Sequence, residues 1–94
     1  MSSTQSGFTF HYISFIYIIL MDIQAFIKSF GKAIEVEDIA ALTPETEFHD
    51  LDEWSSISVM VTIAFFDEEF DKQIDETTIR EANTILDLFN IASA

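Results

Sequence analysis

The sequence predicts an all-α fold in one small domain, and three observations lead to this prediction. The chain has 94 residues, which is room for one domain and not two. It contains 2 Gly and 1 Pro, too few for a series of hairpin turns. Its hydrophobic content of 49% argues against disorder, and many of its apolar residues recur at helical spacing behind capping residues. Because Cys is absent, apolar burial alone must stabilise the fold.

The first helix is predicted to begin after Asp22, a candidate N-cap. The apolar residues that follow recur at i, i+3, i+4, i+7 and i+11, which places them on one helical face. These residues are Ile23, Phe26, Ile27, Phe30 and Ile34. Gly31 is expected to weaken the last turns of this helix.

A long loop is predicted to follow the first helix. Residues 43–54 have no helical period, and Pro44 disfavours helix at Thr43. Loops of this length in small domains are usually pinned to the core or functional, and the candidate pins are Phe48, Leu51 and Trp54.

The second helix is predicted from Ile57 to Phe70, with Ser55 or Ser56 as its N-cap. Its expected core stripe is Ile57, Met60, Ile63, Ala64 and Phe70, together with Val61. The apolar residues outside that stripe are Val59, Phe65 and Phe66, so burial on several sides or a partner surface is expected. Residues 58–63 can also be interpreted as a buried strand, but the length of the segment favours helix.

Two shorter helical segments complete the predicted fold. Asp75 is a candidate cap for a short turn that runs through Arg80. Thr84 and Asp87 form a capping box that opens the last helix. The apolar residues of that helix are Ile85, Leu88, Phe89 and Ile91.

Residues 1–20 form an uncharged apolar leader. The apolar run from Phe8 to Leu20 spans 13 residues, fewer than the roughly 20 that cross a bilayer. It lacks the basic region and the small-residue cleavage site of a secretory signal. Three interpretations stay open: an interfacial or buried segment, a degenerate targeting peptide, or upstream sequence that is not part of the native protein. The predicted folded domain therefore spans residues 21–94, and no membrane span is expected.

The chain is strongly acidic, with 17 Asp and Glu against 4 Lys and Arg and a formal net charge of −13. Such a field repels phosphate backbones, so nucleic acid is not an expected partner. Basic protein surfaces are the natural partners, and mimicry of nucleic acid is a less common alternative.

Most catalytic and metal chemistry is excluded by the residues that the chain lacks. Its two histidines, His11 and His49, cannot form a zinc triad, and two glycines cannot build a phosphate-binding loop. The acidic group Asp50, Asp52 and Glu53 lacks the glycine turn and distal Glu of a calcium loop, so no metal site is expected. No catalytic residue is predicted.

One arrangement remains, a serine at the start of a helix between an acidic loop and an acidic helix end. Free N–H groups at a helix N-terminus suit a phosphate ester on that serine. The alternative is that Ser55 and Ser56 only cap the helix.

The order of these elements resembles an acyl carrier protein over residues 21–91. Residues 43–51 are similar to the loop that precedes the attachment serine of that family. The sequence Trp54-Ser-Ser-Ile57 stands where carriers often have Trp-Asp-Ser-Leu, and residues 63–74 resemble the acidic end of the second helix and its exit. Thr84-Ile85 is similar to the Thr-Val that opens the last helix of the family.

The resemblance implies a four-helix bundle that carries acyl intermediates as thioesters on a 4′-phosphopantetheine arm. It places the arm on Ser56, with Ser55 in the position of the family's aspartate, and implies a non-catalytic, cytoplasmic monomer. Implied partners are a phosphopantetheinyl transferase and acyl-transferring or condensing enzymes of fatty-acid, polyketide or related biosynthesis with basic docking patches. The expected docking residues are Asp50, Asp52, Glu53, Val61, Phe65, Asp67, Glu68 and Glu69. The alternative is an unmodified, carrier-like acidic protein that acts as an adaptor or a nucleic-acid mimic.

Overall fold

A computed structural model describes residues 22–94, and within that range the protein is helical, with no strand. The four α-helices are α1 (Ile23–Ala33), α2 (Ser56–Phe70), α3 (Glu76–Glu81) and α4 (Ile85–Ser93). Short 3₁₀ turns, Ile39–Ala41 and Phe48–Asp50, interrupt the segment between α1 and α2. The predicted all-α class is therefore confirmed for this range. The leader, residues 1–20, lies outside the described residues.

The predicted helix starts are confirmed by the caps. The Asp22 carboxylate accepts a hydrogen bond from the Ala25 N–H at 2.9 Å. Asp75 accepts from the Thr78 N–H at 2.9 Å, and this bond is the main reason why the pKa of Asp75 is lowered. Each cap satisfies a backbone donor that the helix itself leaves free.

The capping box of α4 also forms as predicted. The Thr84 hydroxyl accepts a hydrogen bond from the Asp87 N–H at 3.2 Å, and the Asp87 carboxylate accepts from the Thr84 N–H at 3.1 Å. A further bond to Asp87 comes from the Asn83 N–H at 2.9 Å. These backbone donors, with Asn83 contributing most, lower the pKa of Asp87.

Helix α2 ends in a left-handed residue that is not glycine. Asp71 has a φ of 53°, and the N–H of Lys72 donates to the Phe66 carbonyl at 3.2 Å. Only glycine adopts such a φ without a steric cost, and a carboxylate is unfavourable at the negative end of a helix dipole. The C-terminus of α2 is therefore a locally unfavourable site.

Phenylalanine side chains form the centre of the core. Phe26 of α1 is fully buried, and its ring centroid lies 5.9 Å from that of Phe65, 6.2 Å from that of Phe66 and 5.8 Å from that of Phe70. Phe30 is also fully buried, one turn along the same face of α1. The predicted apolar face of α1 is therefore confirmed as the face that contacts α2.

The predicted core stripe of α2 is wrong in register. Ile57 and Met60 are 68% and 70% exposed, whereas Phe65 and Phe66 are 7% and 0% exposed. Of the predicted stripe, only Phe70 is fully in the core; Val61 and Ile63 are half-buried, and Ala64 is exposed. The buried residues of α2 are instead Ser58, Thr62, Phe65, Phe66 and Phe70.

The long segment before α2 is pinned as predicted. Phe48 is fully buried, and its ring contacts that of Trp54 at 5.0 Å between centroids. Leu51 and Trp54 are partly buried against the core. Backbone bonds then join this segment to α4: the Ile85 N–H donates to the Thr46 carbonyl at 3.1 Å, and the Leu86 N–H donates to the Pro44 carbonyl at 2.9 Å.

Gly31 allows the segment after α1 to pack closely on that helix. A Cβ at this position would lie 3.0 Å from Leu42 Cδ1 and 3.1 Å from Ile39 Cγ1. The glycine that weakens α1 locally therefore makes room for the apolar side chains of residues 39–42.

Candidate functional site

Ser55 and Ser56 have different roles at the start of α2. Ser55 is the N-cap, with an extended backbone (φ −145°, ψ 179°), and its N–H donates to Ser58 Oγ at 3.0 Å. Ser56 is the first helical residue and is exposed. Among the side-chain hydrogen bonds of residues 22–94, none involves the Ser56 hydroxyl. The structure thus settles which serine caps the helix and leaves the other hydroxyl facing solvent.

The first turn of α2 contains no acidic residue. Side-chain carboxylates therefore do not occupy the first-turn positions, where an anion interacts best with backbone N–H groups and the helix dipole. A phosphate group attached to Ser56 is compatible with the start of α2, since its charge would lie near the positive end of a 15-residue helix.

The predicted docking residues line three different grooves. Asp50, Asp52 and Glu53 line a groove of about 280 Å³ between the two segments that precede α2. Asp67 lines a different groove of about 440 Å³. A third groove, of about 520 Å³, lies between α1 and α2, and its lining includes Val61, Phe65, Glu68 and Glu69.

Phe65 does not provide the exposed apolar contact that was expected of it. Its side chain is 7% exposed and forms the floor of the groove between α1 and α2. Its ring also packs against the ring of Phe30, at 6.1 Å between centroids. Phe65 therefore belongs to the core, and only the half-buried Val61 of that predicted pair reaches the surface.

The exposed apolar side chains of α2 are Ile57 and Met60, which sequence reasoning assigned to the core. Met60 lines the 440 Å³ groove together with Ile63, Ala64, Asp67, Gln73 and Ile74. An apolar patch with an acidic edge is a typical protein interaction surface. The signal for it in the sequence was the excess of apolar residues around α2, which one core-facing stripe cannot accommodate.

Glu53 makes a contact that the sequence did not predict. Its Oε2 accepts a hydrogen bond from the Glu37 N–H at 3.2 Å, which joins the loop before Ser56 to the segment after α1. Glu53 is half-buried, whereas Asp50 and Asp52 are exposed. Of these three acidic residues, Glu53 therefore has a structural contact as well as a charge.

Two further findings concern metals and membranes. In the range 22–94, no cluster of three His, Asp or Glu side chains is arranged to hold a metal ion. Within that same part of the chain, no helix is both long enough and apolar enough to cross a bilayer.

Comparison of the chain with protein-family models, with curated proteins and with solved structures gave no significant match. The geometry at Ser56 and the surface of α2 are therefore the basis on which a function can be argued.

Proposed function

We propose that this protein is an acyl carrier protein with a 4′-phosphopantetheine arm on Ser56. The observation that carries the proposal is the solvent-facing Ser56 hydroxyl at the first residue of α2, beside an N-cap that Ser55 already provides. A transferase needs access to a hydroxyl that is not engaged elsewhere, and Ser56 meets this condition. Ser55 is exposed too, but its backbone N–H and its hydroxyl lie against Ser58.

The surroundings of Ser56 support a phosphate ester. The first turn of α2 contains no acidic residue that would repel an anion locally, and the helix dipole favours an anion there. The arm, when attached, supplies a terminal thiol that holds an acyl group as a thioester. The chain's own residues would present this arm and contact partner enzymes, and the protein itself performs no catalysis.

The docking surface that we propose is centred on the exposed side of α2. Ile57 and Met60 offer the apolar contacts, and Asp67 adds a negative charge in the groove that Met60 lines. With a net charge of −13, the protein should attract enzymes whose docking patches are basic, such as acyl-transferring or condensing enzymes. Asp50, Asp52, Glu68 and Glu69 would steer the encounter from neighbouring surfaces.

The test is intact-mass analysis after coexpression with a broad-specificity phosphopantetheinyl transferase. We expect the wild-type protein and Ser55→Ala to gain the mass of one phosphopantetheinyl group and Ser56→Ala to gain none. Ser55→Ala is the matched control because it removes the neighbouring hydroxyl. A wild-type protein without the arm, or modification of Ser56→Ala, would refute the assignment. The unmodified result would favour an acidic interaction protein.

A further inference from the structure

The Ser58 hydroxyl connects helix α2 to the loop that precedes Ser56. Ser58 lies two residues after Ser56 and is 5% exposed. Its Oγ accepts a hydrogen bond from the Ser55 N–H at 3.0 Å and donates one to the Glu53 carbonyl at 3.3 Å. The Ser55 hydroxyl lies 3.4 Å from the same atom.

These bonds use the hydrogen-bonding capacity of a nearly buried hydroxyl. A serine hydroxyl has one donor and two acceptor positions, and a buried polar group without partners is costly. The single donor of Ser58 is directed to Glu53, outside the helix, and an acceptor position takes the Ser55 N–H. The backbone on both sides of Trp54 is therefore fixed to the first turn of α2.

The same loop is held from its other side by Glu53. While the Glu53 carbonyl accepts from Ser58, its carboxylate accepts from the Glu37 N–H at 3.2 Å. The residues just before Ser56 are thus tied both to α2 and to the segment that follows α1. Of these two bonds, the one made by the Ser58 side chain is the more deeply buried, because Ser58 is nearly fully buried and Glu53 is half-buried.

We infer that Ser58 is a positioning residue for modification at Ser56, an inference that rests on the proposed function. Ser58 pairs with Ser55 in the capping box that stabilises the start of α2, and its further bond to the Glu53 carbonyl fixes the approach of the loop to that helix. By holding Glu53 and Ser55 together, Ser58 keeps the Ser56 hydroxyl in one exposed position. A transferase then meets a preorganised acceptor rather than a mobile loop.

Ser58→Ala removes both bonds and tests this inference. We expect amide hydrogen exchange at Ser55 to accelerate about fivefold, and kcat/KM for transfer of the arm to fall by a similar factor. Ser58→Thr retains the hydroxyl and should restore both values. Exchange is measured on the full chain by NMR, without any transferase.

The matched control is Thr62→Val, which also removes a buried hydroxyl from α2. Thr62 is fully buried, and its Oγ1 donates to the Ser58 carbonyl at 2.8 Å, within the helix. Its loss changes the free energy of unfolding without freeing the loop. We expect exchange at Ser55 and the transfer rate to stay within twofold of wild type.

The outcomes separate this inference from the proposed function. Unchanged exchange at Ser55 in Ser58→Ala overturns the tie itself, whether or not the protein is modified. Faster exchange with an unchanged transfer rate overturns the positioning role and leaves the proposed function intact. Equal effects of Thr62→Val and Ser58→Ala on transfer show that stability alone is responsible, which also overturns the inference. A wild-type protein that is never modified refutes the proposed function and, with it, the role of Ser58 in modification.

Discussion

Truncation of Phe65 should destabilise the protein severely. Phe65 is 7% exposed, and its ring lies 5.4 Å from that of Phe70 and 5.9 Å from that of Phe26 between centroids. Phe65→Ala removes these contacts and leaves a cavity, which costs about 3–5 kcal/mol. A domain of this size has a free energy of unfolding of about 4–11 kcal/mol, at about 0.05–0.15 kcal/mol per residue. We therefore expect the variant to lose at least about a quarter of its stability.

Met60→Ala is the matched control, because Met60 lies on the same helix and is 70% exposed. We expect it to change the free energy of unfolding by less than about 0.5 kcal/mol. Urea denaturation followed by circular dichroism at 222 nm measures both variants. If Met60→Ala costs as much as Phe65→Ala, the assignment of the buried and exposed faces of α2 is wrong.

Two further predictions concern the end of α2 and the cap of α4. Asp71→Gly should raise the free energy of unfolding, measured by urea denaturation, by about 1 kcal/mol, because it relieves a left-handed φ and removes a carboxylate from a helix C-terminus. Asp67→Gly, within the same helix, is the control and should lower the free energy of unfolding. If both substitutions shift the free energy of unfolding alike, the reasoning about Asp71 is wrong. The lowered pKa of Asp87 stabilises the fold at pH values above the ordinary 3.8, and this contribution is lost as the pH falls through the lowered value. The difference in unfolding free energy between wild type and Asp87→Asn should therefore be constant above about pH 5 and shrink in acid. A difference that does not depend on pH would contradict the role of Asp87 as a charged cap.

The helix starts could be predicted because capping is local. Asp22, Asp75 and Thr84 each satisfy backbone donors within three residues, so the short sequence around them contains the necessary information. The same holds for the apolar face of α1, where the spacing of Phe26 and Phe30 marks one side of a helix.

The buried face of α2 could not be predicted in this way. Apolar residues surround this helix, so periodicity does not select a face, and two buried positions are the polar Ser58 and Thr62. Thr62 is satisfied by the Ser58 carbonyl within the helix, which allows burial without a tertiary partner. The choice of face depends on how the rings of α1 fit against Phe65 and Phe66, which is a property of the packed structure.

The candidate site was predicted in part. Spacing limited the N-cap to Ser55 or Ser56, and the structure selects Ser55. The attachment of an arm to Ser56 stays a prediction, since it depends on a second protein. The tie from Ser58 to Glu53 was missed, because a serine in the first turn of a helix gives no sign in sequence of a bond to a loop carbonyl.

The backbone bonds from Ile85 and Leu86 to Thr46 and Pro44 impose an order of events on synthesis of the chain. The ribosome makes residues 44–46 long before residues 85–86, so the carbonyls of Pro44 and Thr46 lack their α4 donors while translation continues. Local pairing alone cannot make these two bonds, which form only when α4 docks. An enzyme that recognises the loop with these two bonds in place would therefore act only after residues 84–86 have left the ribosome.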